Sequence, residues 1–146
     1  MFNKSRFESL LKDFVEIPTV SMEPERKGDI RRLADKAMLL LKEAGFQTRL
    51  VETKGNPIVF GEYAPNKKWK TLALYNHLDV QPADPSEWNK PPFVFFAEEG
   101  KYYARGATDD KGPALTGLLA IQQAIQEKVP INFQIIYKKR RAHPCG

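Results

Sequence analysis

A short segment in the middle of the chain carries residue types from which a metal site could be built. His77-Leu78-Asp79 places an imidazole and a carboxylate two residues apart. The carboxylate is then close enough to accept the second N–H of the ring, which is how the tautomer of a metal-binding histidine is commonly fixed. An acid that merely satisfies a histidine in a loop gives the same pattern. The dipeptide spacing alone favours this simpler interpretation.

A second segment, from Arg105 to Gly112, places two carboxylates next to each other directly before a predicted helix. Asp109 and Asp110 are like charges side by side, which is costly unless a cation or hydrogen bonds compensate for it. Either acid could simply cap the helix that follows. A cap, however, needs one acid and no flanking glycines, whereas a cation held by a carboxylate needs an ordered loop of this kind.

Helices and strands alternate along the chain around these two segments. Apolar residues at helical spacing predict one helix that begins at a Ser5-x-x-Glu8 capping box, a second from Ile30 to Ala44 and a third that starts near Pro113. Short strands and one hairpin are predicted between the second and third helices, at 46–52, 57–63, 71–76 and 93–104, and a last strand follows the third helix at 131–137.

The alternation predicts an α/β fold, with a mixed, partly parallel sheet and helices on its faces. The strand at 71–76 is almost continuously apolar, as expected of a central strand that is covered on both faces. In sheets of this class, sites form beyond the carboxyl ends of the strands. His77 and Asp79 directly follow the most apolar strand, so the sequence places them at such an edge.

Three segments together resemble the family of co-catalytic zinc hydrolases that contains cytosolic dipeptidases, carnosinases, aminoacylases, acetylornithine deacetylase and carboxypeptidase G. They are residues 74–82, Trp88 with 91–93, and residues 103–113. The resemblance extends from Phe7 to about Tyr137. It implies the N-terminal part of a phosphorylase/hydrolase-like zinc peptidase catalytic domain.

The resemblance also implies a role for each candidate site residue. His77 would be a ligand of one zinc ion, Asp109 would bridge two zinc ions, and Asp79 would be the catalytic-site acid that orients His77. The Asp109–Asp110 peptide bond would be cis. Arg105, Lys111 and the stretch from Trp88 to Phe93 would shape the loop rather than touch the substrate.

The activity implied by the resemblance is that of a zinc-dependent dipeptidase, in which a water activated between two metal ions hydrolyses a peptide bond. The substrate would be a small peptide or an N-acyl amino acid. Two alternatives stay open: an N-acyl-amino-acid deacylase of the same family, and a non-catalytic interaction fragment in which a basic tail contacts an acidic partner.

The last nine residues depart from the family pattern. The family has a Glu-Glu pair, which supplies the general base and a zinc ligand, just after the strand at 131–137, whereas this chain has Lys138 to Arg141 there. Four cations would repel zinc, and His143 does not match a family ligand. We therefore expect residues 1–137 to be a portion of the catalytic domain and residues 138–146 to be an aberrant basic tail from a shifted reading frame. We expect the zinc site to be incomplete and the truncated chain to be inactive.

Charge and composition narrow the remaining functional classes. The chain has 146 residues and a net charge of +5, of which residues 138–141 supply four, so the remainder is close to neutral. That leaves no basic face for nucleic acid. No apolar run approaches the roughly eighteen residues that a membrane span requires. One cysteine fits a reducing compartment. We expect a cytoplasmic protein that forms a homodimer only in a full-length form.

Overall fold

The computed structural model describes residues 3–139. The part of the predicted basic tail beyond Lys139, including His143, lies outside the described residues. Within the described residues, three α-helices, six strands and two short 3-10 turns follow one another. They are α1 (Lys4–Val15), a turn at Pro24–Arg26, α2 (Lys27–Glu43), β1 (Gln47–Val51), β2 (Ile58–Tyr63), β3 (Thr71–Asn76), a turn at Pro85–Glu87, β4 (Phe96–Glu98), β5 (Lys101–Tyr103), α3 (Lys111–Gln126) and β6 (Asn132–Tyr137).

The main sheet is mixed, as the sequence predicts. Its strand order is β1-β2-β6-β3. β2 pairs antiparallel with both β1 and β6, whereas β3 and β6 pair in parallel. β4 and β5 form the predicted hairpin as a separate two-stranded sheet. The parallel pair brings the carboxyl ends of β3 and β6 to one edge of the sheet.

The position of β3 differs from the prediction of a central strand. Within residues 3–139, β3 lies at the edge of the four-stranded sheet, and the side chains of Leu72 and Tyr75 are more than half exposed. A continuous apolar run shows that a strand has apolar faces, but it does not show how many strands pair with it. The prediction was therefore wrong for the described part of the chain.

Helices α2 and α3 pack on the same face of the main sheet. Gly61 of β2 lies beneath Leu41 of α2, and a Cβ added at Gly61 would come within 3.1 Å of that side chain. Leu74 of β3 packs against Gly117 of α3 in the same way. Gly61 and Leu74 both lie opposite Ile135 of β6, so they share one cross-strand row. Small residues at these two points allow each helix to approach the sheet closely.

The helix ends show which local signals decide the boundaries. The side chain of Asn3, not a box formed by Ser5 and Glu8, caps α1 by accepting a hydrogen bond from the Arg6 N–H at 2.9 Å. Gly45 follows α2 with a φ of +89°, which confirms the predicted glycine cap. In residues 3–139 none of the helices is long and apolar enough to cross a membrane.

The core lies between the helices and the covered face of the sheet. α1 packs against α3, and the most deeply buried side chains are apolar with two exceptions, Lys111 and Thr19. The apolar members of this set are Leu11, Phe14, Val15, Val20, Leu33, Leu41, Val59, Leu115 and Ile135. Lys111 is fully buried among these apolar side chains. Its ammonium group donates hydrogen bonds to two backbone carbonyl oxygens.

Candidate metal centre

The His77 ring lies directly beyond β3, and its orientation is fixed by a backbone contact. Its Nδ1 atom lies 2.9 Å from the carbonyl oxygen of Asp79. A carbonyl oxygen only accepts hydrogen bonds, so Nδ1 must carry the proton in this contact. In the neutral ring the lone pair is then on Nε2, so Nε2 is the ring atom that could bind a metal ion.

Nε2 of His77 faces the second predicted metal-binding residue. It lies 3.0 Å from Oδ1 of Asp109. The His77 side chain is 12% exposed, whereas the Asp109 side chain is 62% exposed. The fold thus brings together two residues that are 32 positions apart in the sequence. One of them is held in the protein and the other faces solvent.

The Asp79 side chain is less close to the ring than the sequence analysis expects. Its Oδ1 atom lies 3.6 Å from Nδ1 of His77, beyond the Asp79 carbonyl oxygen at 2.9 Å. Asp79 therefore accepts the hydrogen bond of the His77 ring with its backbone carbonyl oxygen and not with its carboxylate. The carboxylate is almost fully buried beside the ring, where its negative charge favours the protonated Nδ1.

The loop from Arg105 to Gly112 carries Asp109, and close packing fixes its path. Gly106 has a φ of +91°, and a Cβ there would lie 2.9 Å from the Val80 side chain. A Cβ at Gly112 would overlap the carbonyl oxygen of Ala107. Both positions therefore require glycine. The Asp109–Asp110 peptide bond is cis, which confirms the expectation from the resemblance.

Lys111 anchors the end of this loop to α1. Its Nζ atom donates hydrogen bonds to the carbonyl oxygens of Phe14 at 2.9 Å and Ile17 at 2.8 Å. Burial lowers the pKa of the Lys111 ammonium to about 7, against the opposing charges of Asp79 and Asp29. The side chain lies entirely inside the protein, so it shapes the loop, as the sequence analysis expects.

Arg105 supports the same loop from its outer side. Its guanidinium lies over the Trp88 ring, 5.2 Å from the centroid, and donates a hydrogen bond to the Pro82 carbonyl oxygen at 3.2 Å. Trp88 and Phe93 are both half-buried. These contacts agree with a loop-shaping role for this stretch.

Asp110 makes contacts that sequence reasoning missed. Its Oδ2 atom accepts hydrogen bonds from Nδ2 of Asn76 at 2.9 Å and from the backbone N–H of His77 at 3.2 Å. It also occupies the N-cap position of α3, but its side chain makes no capping hydrogen bond. One indication of this contact is present in the sequence: Asn76 is a polar residue at the end of an apolar strand, where its amide needs a hydrogen-bond partner.

The donor pair of His77 and Asp109 fits zinc in chemistry and spacing. Imidazole nitrogen and carboxylate oxygen are both zinc ligands, and two ligands about 2.1 Å from one tetrahedral ion lie about 3.4 Å apart. The observed separation of 3.0 Å needs only a small adjustment. Among residues 3–139, no group of three or more histidine, cysteine, aspartate or glutamate side chains could hold a metal ion. The described part of the chain therefore supplies two donors, fewer than the three or four of a protein zinc site.

Comparisons with known proteins agree with the motifs. Residues 73–137 match the sequence model of peptidase family M20/M25/M40. The chain is 33% identical over 131 residues to the Cys-Gly metallodipeptidase dug1 of Schizosaccharomyces pombe, a match that covers 82% of this chain and 28% of that protein. It is 30% identical over 122 residues to succinyl-diaminopimelate desuccinylase 2 of a Ruegeria species, which covers 83% of this chain and 29% of that protein.

The fold matches as well. The crystal structure of human carnosine dipeptidase 1 superimposes with a TM-score of 0.85 at 29% identity, over 92% of this chain and 32% of that chain. The chain thus spans less than a third of the length of these relatives. The order of the motifs, the mixed sheet and these matches lead to one conclusion: the chain belongs to peptidase family M20/M25/M40.

Proposed function

We propose that this chain carries the first part of the metal site of a zinc-dependent dipeptidase. One observation supports this most strongly. Nε2 of His77 and Oδ1 of Asp109 face each other at 3.0 Å while Nδ1 of His77 is occupied by the Asp79 carbonyl. This arrangement leaves the second ring nitrogen beside an exposed carboxylate, where a metal ion could take the place of the proton that a direct contact between them requires.

Each residue has a defined task in this proposal. His77 offers the Nε2 lone pair to one ion, and Asp79 keeps the proton on Nδ1 so that the lone pair stays on Nε2. Asp109 has two carboxylate oxygens and an exposed side chain, so it can bridge two ions. Zinc, when bound there, supplies the Lewis acidity that polarises an amide carbonyl and makes water nucleophilic near neutral pH.

A dipeptide is the substrate that we propose. The support is the sequence around the two motifs and the similarity to proteins named as dipeptidases. The second candidate is deacylation of an N-acyl amino acid, which the 30% identity to a desuccinylase favours. Both reactions hydrolyse an amide bond, and they differ in the group that flanks it. Parallel assays with a dipeptide and an N-succinyl amino acid would distinguish them in a chain extended to the length of these relatives.

For the 146-residue chain itself, we propose weak zinc binding and no detectable hydrolysis. Residues 1–137 would be a portion of the catalytic domain, and residues 138–146 a basic tail that is not part of it. The two donors found within residues 3–139 cannot complete either ion's coordination. A zinc-dependent cleavage of dipeptides by the isolated chain would contradict this.

Calorimetric titration with zinc tests the donor pair. We expect His77→Ala and Asp109→Ala each to weaken zinc binding by at least about tenfold, because each removes one of two ligands. Asp13→Ala is the control, since Asp13 is an exposed acid that pairs with Lys36 on α1 and α2. Equal zinc affinity in all four proteins would show that zinc binds elsewhere and would refute the proposal.

A further inference from the structure

We propose that Asp110 is a positioning residue that sets the separation between His77 and Asp109. The inference rests on the proposed function, because it concerns the same donor pair. The Asp110 carboxylate hydrogen-bonds to the backbone of His77 rather than to its ring. Asp110 acts through the backbone of His77 and through its own peptide link to Asp109.

The contacts of the Asp110 carboxylate connect two separate parts of the chain. A single oxygen, Oδ2, receives the Asn76 amide at 2.9 Å and the His77 backbone N–H at 3.2 Å. Asn76 is the last residue of β3 and is buried. The carboxylate therefore fastens the loop before α3 to the carboxyl end of β3. Hydrogen bonds to an ionised acceptor are roughly twice as strong as neutral ones.

This connection fixes both donors at once. His77 follows Asn76 and receives its orientation from the strand end, whereas Asp109 precedes Asp110 and receives its orientation from the loop. When Asp110 holds the strand end, it holds the two donors at the observed 3.0 Å. Groups that orient metal ligands in this indirect way typically change metal affinity by about 10–100-fold when they are removed.

Helix capping does not account for the Asp110 carboxylate. The residue stands at the N-cap of α3, and its backbone carbonyl accepts a hydrogen bond from the Ala114 N–H at 2.9 Å. Its side chain makes no capping hydrogen bond to the first turn. Both side-chain contacts are directed at the strand end instead. Helix capping therefore explains the hydrogen bond of the Asp110 backbone carbonyl. It does not explain the two hydrogen bonds of the carboxylate, which hold the end of β3.

Two substitutions at this position separate geometry from simple loss of stability. Asp110→Ala removes the acceptor of both hydrogen bonds. Asp110→Asn keeps one oxygen for the His77 N–H, and its new amide group can donate to Oδ1 of Asn76, which is buried and has no hydrogen-bond partner among the described residues. Asp35→Asn is the control, because Asp35 is an exposed acid on α2 that pairs with Arg31 of the same helix.

The first readout uses the metal-free 146-residue chain. We expect nuclear Overhauser contacts between the His77 ring protons and the Asp109 β-protons in the native chain, in Asp110→Asn and in Asp35→Asn. We expect Asp110→Ala to lose them and to show faster hydrogen exchange at the His77 amide. If Asp110→Ala does not fold, Asp110→Asn decides the matter: contacts that disappear in this folded, near-isosteric variant would overturn the proposal.

The second readout is zinc affinity by calorimetry. Asp110→Ala should bind zinc at least about tenfold more weakly, and Asp110→Asn should stay within about threefold of the native chain. Unchanged ring contacts in Asp110→Ala would overturn the proposal, and so would lost contacts with unchanged zinc affinity. If His77→Ala binds zinc as well as the native chain, the proposed function fails. The metal-free contacts would still decide whether Asp110 positions the two side chains.

Discussion

The loop from Arg105 to Gly112 has a buried end and an exposed tip, and the two are held in opposite ways. At the buried end, Lys111 is fully enclosed and Gly112 lies against the Ala107 carbonyl. At the tip, the Asp109 side chain is 62% exposed, and its Oδ1 atom lies 3.0 Å from Nε2 of His77. Two residues apart, the Lys111 side chain is enclosed by packing, whereas the Asp109 carboxylate lies at the surface where a ligand can reach it. Stability and metal binding should therefore respond to different substitutions.

The largest effect on stability is expected at the buried end, from Gly112→Ala. The new Cβ would overlap a backbone oxygen, which cannot move as a flexible side chain can. We expect a loss of about 3 kcal/mol or more in the free energy of unfolding. Gly28→Ala is the matched control, because Gly28 is likewise the second residue of its helix and a Cβ there meets nothing within 4 Å.

Urea denaturation of both glycine variants measures this difference. Gly28→Ala should be neutral or stabilising by up to about 1 kcal/mol, because alanine restricts the unfolded chain more than glycine does. Similar unfolding free energies for the two variants would show that the loop end is not packed as described.

A smaller loss is expected from Lys111→Met. Methionine fills a similar volume but leaves the carbonyl oxygens of Phe14 and Ile17 without the ammonium donor. The Ile17 oxygen keeps the Thr19 N–H as a donor, whereas the Phe14 oxygen loses its side-chain donor. Leaving a buried acceptor unpaired costs about 1–3 kcal/mol, so we expect a loss of about 2 kcal/mol. Lys101→Met is the control, because Lys101 is exposed on β5. A Lys111→Met variant as stable as this control would contradict an anchoring role.

The smallest effect on stability is expected at the exposed tip, from Asp109→Asn. Substitutions of exposed side chains usually change the unfolding free energy by less than about 0.5 kcal/mol. Zinc affinity should nevertheless fall, because the amide is a neutral and much weaker ligand than the carboxylate. A destabilisation comparable to that of Lys111→Met would mean that Asp109 is a structural residue.

The elements of the fold that depend on local spacing could be predicted from the sequence. The apolar stripes of α1 and α2, the glycine cap at Gly45 and the strand at 71–76 are all encoded by neighbours within a few residues. The edge position of β3 could not be predicted in this way, because it depends on which strands pair across long separations. The cap at Asn3 was missed because a Ser-x-x-Glu pattern two residues later gave a stronger local signal.

The candidate site also has features that the sequence predicts locally and features that depend on long-range contacts. The residue types and the motif resemblance indicate His77 and Asp109, and the structure places them 3.0 Å apart. The contacts of Asp110 with Asn76 and His77 join the ends of two segments more than thirty positions apart. No local pattern encodes such a contact. The same holds for the Asp79 carbonyl as the nearest acceptor for the His77 ring, since backbone atoms carry no sequence signal.

A zinc titration followed by long-range ¹H–¹⁵N correlation spectra of the histidine rings tests the central claim most directly. The chain has only two histidines, His77 and His143, so their ring signals can be assigned by a single His143→Ala variant. The account predicts that zinc shifts the Nε2 signal of His77 while its Nδ1 stays protonated. A zinc-induced shift confined to His143, or a His77 ring that binds zinc through Nδ1, would contradict it.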